Sequence, residues 1–421
     1  MAAQPYATAT RPSTAIVVGA GVVGLSCAWH LQSHGIEVTV LDRTGIAAGA
    51  SRGNAGYISH GLVAPLADPA LVRYGARAVL RRGSPVRIPL TPSVDTLRFL
   101  AMFARNATAG RWREGMQALL PLSHSAQEAY DQLVDGGVEA DLHTTPILAV
   151  FEKPADASGL LHEVAAVVAC GQTLDIETLS GDEARTEEPL LSACINLGIK
   201  LLGQRWLDPA SFVGSLAAHV EQRGGTVRAG SAVRRVGRGA GGTVTVVTDA
   251  GEVTADAVVL AAGAWLPHLA RPHGVRTPMQ AGRGYSFLVD TDPVPRGPIY
   301  FPVARAAGTT TPTGLRMTGL MDLDGADDAL QTSRVRVIQD GIAAGLRGVD
   351  WSTRREAWVG SRPLTADGLP LIGATSTPGV YVAGGHGMWG LTLGPITGQL
   401  LAQQVATGTA PAELRPFDPL R

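Results

Sequence analysis

The sequence has few cysteines, few lysines and no long uninterrupted apolar run. Its three cysteines, Cys27, Cys170 and Cys194, are an odd number without CxxC spacing, so a disulfide framework is not expected and a reducing compartment fits best. Lysine occurs only as Lys153 and Lys200 beside abundant arginine, which we interpret as composition bias. No run of about 18 apolar residues occurs, so no membrane span is predicted.

Charge is also scarce in this chain. The formal net charge is −1, 17% of the residues are charged, and no block of like charges occurs. The sequence therefore lacks the electrostatic footprint of a nucleic-acid-binding protein, and a small-molecule partner is favoured. The first apolar run carries a glycine motif instead of a signal-peptide cleavage site, so we predict a cytoplasmic protein. Peripheral contact with the cytoplasmic face of a membrane and the oligomeric state stay open.

Length and hydrophobic periodicity indicate two domains. At 421 residues with 45% hydrophobic content, the chain exceeds the size at which a single core stops growing. A strand at 15–18, an apolar-periodic helix at 22–34 and a strand at 38–41 form one βαβ unit. Farther along we predict a helical insertion at 62–137, a helix at 207–223, and strands at 226–228, 243–248, 252–254, 257–261, 284–289, 314–320 and 378–383.

The βαβ unit carries a dinucleotide-binding fingerprint at the junction of strand and helix. Gly19 permits the tight turn, Gly21 lets the backbone approach a pyrophosphate, and Gly24 lets the helix pack close to the strand. The fingerprint residues Val22 and Val23 begin the helix, whose N-terminus attracts phosphate. Asp42 then ends the second strand, near the expected separation of about 20 residues, where its carboxylate can accept the ribose hydroxyls and repel a 2′-phosphate.

The loop after this unit favours FAD over NAD. The fingerprint, Asp42-Arg43 and the run Ser51-x-x-Asn54-Ala55-Gly56 together resemble the FAD-dependent D-amino-acid dehydrogenase and glycine oxidase family. In that family this loop passes under the flavin ring and its phosphates. Small residues at 55 and 56 suit a backbone lying flat against the ring, and the side chains at 51 and 54 can donate to phosphate or ring carbonyls.

Three further segments carry the resemblance. Residues 258–265 resemble the strand and turn near the adenine half, including Gly263 and Trp265, and Val233 matches a position whose backbone contacts adenine. The most family-specific part is residues 360–373 followed by 384–392. The last helix, expected to begin near Thr392, would direct its N-terminal amides at the flavin N1–C2=O edge. The cofactor-binding residues implied in this turn are Gly387, Met388, Gly390, Leu391 and Thr392.

The resemblance implies an α/β fold: a Rossmann-type FAD-binding domain and a discontinuous second α+β substrate domain built on an antiparallel sheet. We predict an FAD-binding domain from residues 1–65, 205–275 and 358–421, and a substrate-binding domain from 66–204 and 276–357. FAD is expected to be non-covalent, because no cysteine lies near the early loop or the C-terminal turn where relatives attach it. No metal site is predicted.

Three residues are implied in substrate binding or catalysis. Arg362 matches the family's carboxylate-binding arginine, whose planar fork suits two parallel hydrogen bonds. Tyr300 lies where the family places a tyrosine hydroxyl on the same carboxylate, and His386 lies in the turn beside the ring. Tyr57 and His60, which follow the flavin loop, are weaker candidates.

The implied activity is FAD-dependent oxidation of a small amino acid, and the favoured substrate is a D-amino acid. A hydride would pass from the α-carbon to flavin N5, and the imino acid would hydrolyse to a 2-oxo acid and ammonia without an obligatory protein base. Alternatives are oxidation of a secondary amine or a 2-hydroxy acid, a non-catalytic FAD-binding subunit, and an NAD-dependent dehydrogenase. The electron acceptor, whether quinone, electron-transfer protein or oxygen, stays open.

Overall fold

The computed structural model describes residues 11–69, 72, 75 and 83–421. Within these ranges the helices are α1 (Val22–Ser33), α2 (Val94–Asn106), α3 (Ala109–His124), α4 (Ala126–Asp135), α5 (Ser158–Ala169), α6 (Gly181–Glu187), α7 (Pro209–Gln222), α8 (Leu266–Ala270), α9 (Thr332–Ile342) and α10 (Gly390–Thr407). The strands are β1 (Thr14–Val18), β2 (Glu37–Leu41), β3 (Tyr57–Ile58), β4 (Val86–Arg87), β5 (Ile147–Phe151), β6 (Ile176–Ser180), β7 (Leu197–Leu201), β8 (Arg205–Trp206), β9 (Thr226–Arg228), β10 (Val233–Arg238), β11 (Val244–Thr248), β12 (Gly251–Ala255), β13 (Ala257–Leu260), β14 (Met279–Thr291), β15 (Ile299–Phe301), β16 (Ala306–Thr311), β17 (Gly314–Asp322), β18 (Val349–Thr365), β19 (Leu371–Ala374) and β20 (Val380–Gly384).

The first large sheet is the predicted Rossmann-type sheet. Its strand order is β19-β20-β13-β1-β2-β9, parallel from β20 to β9 with β19 antiparallel at one edge. The central strands β1 and β13 are short apolar runs that are almost fully buried, as is typical of parallel strands covered on both faces. Helices α1, α7 and α10 pack on one face, and the antiparallel strands β10, β11 and β12 pack on the other. The βαβ unit predicted from sequence is confirmed, and the strands predicted at 243–248 and 252–254 pair as an antiparallel hairpin.

Helix α10 lies directly against α1. Gly398 makes this contact close, because a Cβ atom there would lie 2.5 Å from the backbone carbon of Ser26. The helices α3 and α4, which fall in the predicted helical insertion, pack on the other side of α10, and the Tyr130 hydroxyl donates to the Leu391 carbonyl at 2.7 Å. The helical pattern predicted for 62–137 also spans residues 70, 71, 73, 74 and 76–82, which lie outside the described residues.

The second large sheet is mainly antiparallel, as predicted. Its order is β18-β14-β17-β16-β15-β5-β7-β6, with β4 beside β17; the pairings β15–β5 and β17–β4 are parallel. Strand β18 pairs with β14 from Val349 to Thr365 and so runs across the predicted domain boundary at 358. The domain limits stay a prediction. The long strand carries the residues after 358 from this sheet toward the Rossmann-type sheet.

Candidate active site

A cavity of about 650 Å³ extends from the carboxyl ends of β1, β2 and β13 to the second sheet. Its volume falls in the range of about 300–1,000 Å³ that is usual for cofactor and small-molecule sites. Its location also follows the rule that open α/β sheets bind ligands at the carboxyl ends of their strands. Of the predicted site residues, the cavity is lined by Gly19, Gly21, Val22, Val23, Gly24, Asp42, Arg43, Ser51, Asn54, Ala55, Val233, Gly263, Trp265, Tyr300, Arg362, His386, Gly387, Met388, Gly390 and Leu391.

The glycine fingerprint forms a turn that side chains would obstruct. Gly19 has a φ of +117°, and a Cβ atom there would collide with the carbonyl oxygen of Ala261 on the neighbouring strand end. A Cβ atom at Gly24 would collide with the carbonyl oxygen of Gly19. Helix α1 begins at Val22, whose amide donates to the Ser51 hydroxyl at 3.1 Å. Because an N–H donor occupies the Ser51 oxygen as acceptor, the Ser51 proton is left to donate elsewhere.

Asp42 orients the same turn. Its Oδ2 atom accepts from the Ala20 amide at 2.9 Å, and its Oδ1 atom accepts from the amides of Thr44 and Gly45 at 2.8 and 2.9 Å. A carboxylate has about four acceptor sites, so these bonds hold the group in place and leave capacity at Oδ2 for the ribose predicted there.

The predicted flavin loop is held from inside by Asn54. The Asn54 amide donates to the Ser51 carbonyl at 2.8 Å and its oxygen accepts from the Gly56 amide at 2.8 Å. Thr309 on β16 also donates to the Ala55 carbonyl at 2.6 Å and so joins this loop to the second sheet. The Asn54 side chain therefore shapes the loop. Gly56 has a φ of +73° and does not line the cavity.

Arg362, predicted from the sequence to bind a substrate carboxylate, lines the cavity. It lies on β18 and donates to the Leu320 carbonyl at 2.9 Å, and among the described residues it has no carboxylate within ion-pair distance. Leu320 has a φ of +69°, an uncommon conformation for a non-glycine residue that is often found at functional sites. Burial lowers the pKa of Arg362 to about 10, opposed by the charge of Asp322, so the guanidinium is protonated at neutral pH.

The residue that makes room for this guanidinium was not predicted from the sequence. A Cβ atom at Gly284 on the neighbouring strand β14 would overlap the Arg362 side chain. A glycine inside a strand indicates a close approach of another group, so the signal was present. The partner of the glycine depends on strand register, which periodicity alone does not supply.

Tyr300 also lines the cavity, beside two residues that were not predicted from the sequence. Arg305, which has a φ of +51°, donates a hydrogen bond to the Tyr300 hydroxyl, and its charge also interacts with Glu163 on α5. Burial raises the pKa of Tyr300, so its hydroxyl stays protonated and can donate. Arg305 and Glu163 are exposed and line the cavity, which gives this end an open, polar edge.

His386 is buried in the C-terminal turn. Its Nε2 atom lies 2.9 Å from the Thr397 hydroxyl of α10, and burial lowers its pKa to about 4, so the imidazole is neutral at pH 7. The weaker candidate Tyr57 lines the cavity, but its hydroxyl lies 3.1 Å from the Ile299 carbonyl. His60 does not line the cavity, and its Nδ1 atom lies 3.0 Å from the Gln127 amide.

Helix α10 begins at Gly390, two residues before the predicted start. The turn before it is held by the Gly387 amide, which donates to the Pro363 carbonyl at 2.9 Å, and by the Trp389 indole, which donates to the Ala64 carbonyl at 2.7 Å. Thr392 does not line the cavity; its hydroxyl lies 3.4 Å from the Tyr57 carbonyl. The first residues of α10, Gly390 and Leu391, do line it.

These features suit FAD. The glycine turn is packed too closely against its surroundings for side chains at Gly19 and Gly24, and the N-termini of α1 and α10 line the same cavity. Such N-termini stabilise negative charge on a phosphate or a reduced ring. The residues of the turn and of α1 would hold the phosphates, and the start of α10 would face the ring.

Comparison with known proteins identifies the family of this chain. The chain is 30% identical over 400 residues to a D-amino acid dehydrogenase of Allorhizobium ampelinum, covering 93% of this chain and 94% of that protein. The structure of glycine oxidase from Geobacillus kaustophilus is similar with a TM-score of 0.72 at 21% identity, covering 98% and 99% of the two chains. Iminodiacetate oxidase from Chelativorans sp. BNC1 has a TM-score of 0.69 at 20% identity, covering 96% and 98%. The family model of FAD dependent oxidoreductases matches residues 14–404, so the chain belongs to the FAD dependent oxidoreductase family.

Proposed function

We propose that this protein oxidises the carbon–nitrogen bond of a small amino acid to give the imino acid, which hydrolyses to a 2-oxo acid and ammonia. The substrate that we favour is a D-amino acid. The observation that carries the proposal is Arg362, a cation on the cavity wall that donates to the Leu320 carbonyl at 2.9 Å and, among the described residues, has no carboxylate within ion-pair distance. A buried guanidinium of this kind suits bidentate binding of a carboxylate. The similarity to the D-amino acid dehydrogenase of Allorhizobium ampelinum supports the choice of a D-amino acid.

The chain's own residues mainly bind and orient the substrate. Arg362 would hold the carboxylate, and the protonated Tyr300 hydroxyl, which accepts from Arg305, would donate to the same group. FAD, when bound, accepts the hydride from the α-carbon. The His386 ring, in the turn before α10, is neutral and adds no charge of its own. The N-terminus of α10 would stabilise negative charge that develops on the bound ring. Positioning of the α-hydrogen is thus the main contribution of the protein.

A non-catalytic role fits the cavity less well. A subunit that only stored FAD would not need a buried arginine and a protonated tyrosine on the wall beyond the cofactor turn. A secondary amine or a 2-hydroxy acid would use the same carboxylate clamp, and iminodiacetate, the substrate named for one structural neighbour, is a secondary amine. The cavity therefore supports a carboxylate on the substrate more strongly than it supports a primary amine over a secondary amine or a hydroxyl group.

A substrate panel tests the proposal. We expect turnover with small D-amino acids, measured as reduction of an artificial electron acceptor and as 2-oxo acid and ammonia released in equal amounts, with oxygen uptake followed separately. L-amino acids, N-methyl amino acids, 2-hydroxy acids and amines without a carboxylate form the rest of the panel. Turnover of the amines alone would contradict the carboxylate clamp. Turnover of N-methyl amino acids or 2-hydroxy acids alone would identify the corresponding alternative.

We also propose that FAD is bound non-covalently. Among the described residues that line the cavity there is no cysteine, and the His386 Nε2 atom is engaged with Thr397. Acid precipitation of the purified protein should therefore release all of its yellow colour into the supernatant, identified as FAD by chromatography. Colour that stays with the precipitate would show a covalent bond.

A further inference from the structure

Three side chains from distant parts of the chain meet at the nucleotide end of the cavity. Arg43 follows β2, Trp265 follows β13, and Asp327 belongs to the loop 323–331 that leads from β17 to α9. All three line the cavity. Arg43 and Trp265 were predicted from the sequence to lie near the cofactor. Asp327 was not predicted, because nothing in its local sequence links it to the fingerprint.

Each of these three side chains contacts the other two. Asp327 Oδ1 lies 2.6 Å from Arg43 Nη2, and its Oδ2 atom accepts from the Trp265 indole at 2.9 Å. The Arg43 guanidinium in turn lies over the Trp265 ring, 3.9 Å from its centroid. These bonds lower the pKa of Asp327, against the effect of partial burial, so its carboxylate is charged at neutral pH. We call Arg43, Trp265 and Asp327 the nucleotide clasp.

The loop that carries Asp327 is anchored close to the substrate clamp. The Ser361 hydroxyl, next to Arg362, donates to the Ala326 carbonyl at 2.9 Å, and Arg283 donates to the Ala329 carbonyl at 3.2 Å. Arg87 forms an ion pair with Asp324 at the start of the loop. The loop therefore extends from the second sheet to the end of β2, and Asp327 is the residue that joins it to the nucleotide side.

We propose that Asp327 is a cofactor-retaining residue, and that the nucleotide clasp closes the cavity beside the nucleotide half of FAD and slows its release. The position of Arg43, directly after Asp42, supports this assignment, because the carboxylate at the end of β2 is where the ribose of a dinucleotide binds in this fold. The Arg43 and Asp327 side chains are 44% and 65% exposed, so the clasp can open into solvent without unfolding of either sheet. The inference concerns FAD alone and is independent of the substrate.

The expected effect is on the rate of FAD release. Asp327→Asn keeps an oxygen for the Trp265 indole but removes the charge, whereas Asp327→Ala removes both interactions. We expect FAD release to become about threefold faster in the first variant and about ten- to thirtyfold faster in the second, the sizes typical of an exposed ion pair and of an added charged hydrogen bond. Release is followed as the rise of free-flavin fluorescence after rapid dilution of the holoenzyme.

The salt dependence of the FAD release rate distinguishes loss of the nucleotide clasp from a general loss of protein stability. Exposed ion pairs are screened as ionic strength rises, so salt should accelerate release from the wild type more than from Asp327→Asn. Asp290→Asn is the matched control, because Asp290 forms a comparably exposed ion pair, 2.8 Å from Arg355, but does not line the cavity. Its release rate should equal that of the wild type.

Three outcomes would overturn the proposal. The first is a release rate within twofold of the wild type in both Asp327 variants. The second is an equal acceleration in Asp290→Asn, and the third is a matching fall in the unfolding midpoint of the apoprotein of the Asp327 variants, because either result would assign the effect to stability of the second sheet. Faster release with an unchanged apoprotein midpoint supports the clasp.

Discussion

Replacing Arg362 by Met should lower the turnover efficiency of a carboxylate substrate by about thirtyfold to several thousandfold. Met keeps the apolar length of the side chain but removes the planar fork, so a substrate carboxylate would enter a partly desolvated site without its cation. Losing one partner of a buried, hydrogen-bonded charge pair commonly costs about 2 to 5 kcal/mol. Steady-state kinetics of the purified holoenzyme measure the effect, and its FAD content should equal that of the wild type.

Two further variants make this result specific. Arg362→Lys should recover only part of the lost efficiency, because a point charge does not reproduce bidentate geometry. Arg354→Met, on the exposed part of the same strand, should have no effect, since the Arg354 side chain bonds to Gln339 on α9 and does not line the cavity. Full activity in Arg362→Met, or loss of FAD together with activity, would show that the clamp assignment is wrong.

Replacing Gly19 by Ala should abolish FAD binding at micromolar cofactor and destabilise the Rossmann-type sheet. The added Cβ atom would collide with the carbonyl oxygen of Ala261, and the φ of +117° is unfavourable for any residue with a side chain. Overpacking of this kind commonly costs about 1 to 3 kcal/mol, so β13 or the turn must shift. Either shift displaces the backbone that would contact the pyrophosphate. FAD content after purification and a titration of apoprotein with FAD measure the result.

Gly45→Ala is the control for this substitution. Gly45 lies in the loop after β2, close to the same end of the sheet, and a Cβ atom there would have no neighbour within 4 Å. Its FAD affinity should match that of the wild type. If Gly19→Ala binds FAD equally well, the turn does not approach the cofactor in the way the fingerprint predicts.

The predictable part of this molecule is its local chemistry. The fingerprint from Gly19 to Gly24 and the acid at 42 could be predicted as a dinucleotide site because a phosphate-binding turn depends on backbone conformations that only glycine tolerates at a fixed spacing. Strand β5, by contrast, is a continuous apolar run from Ile147 to Phe151, and such a run cannot be distinguished from a buried helix by periodicity. The strands between residues 147 and 201 were therefore not predicted.

The site residues likewise divide into those that a sequence motif identifies and those that only the folded chain brings to the cavity. Arg362 and His386 were identified by their motif, but their electrostatic states follow from burial, which lowers the pKa of His386 to about 4. Asn54 was predicted to offer its amide to a ligand, whereas its hydrogen bonds to the Ser51 carbonyl and the Gly56 amide make it part of the loop. Arg305 and Asp327 carried no motif at all, because each contributes to the cavity only where a distant strand or loop returns to it.

The sequence alone thus predicted which backbone turns would bind a dinucleotide and, by resemblance, that the dinucleotide is FAD. It did so because those turns are made by neighbouring residues. The tertiary structure decided which side chains face one another across the cavity: Gly284 beside the Arg362 guanidinium, and Asp327 against Arg43, 284 residues apart in the chain. The physical reason is that strand register and the return of the loop 323–331 depend on packing of the whole second sheet, to which residues from 86 to 365 contribute.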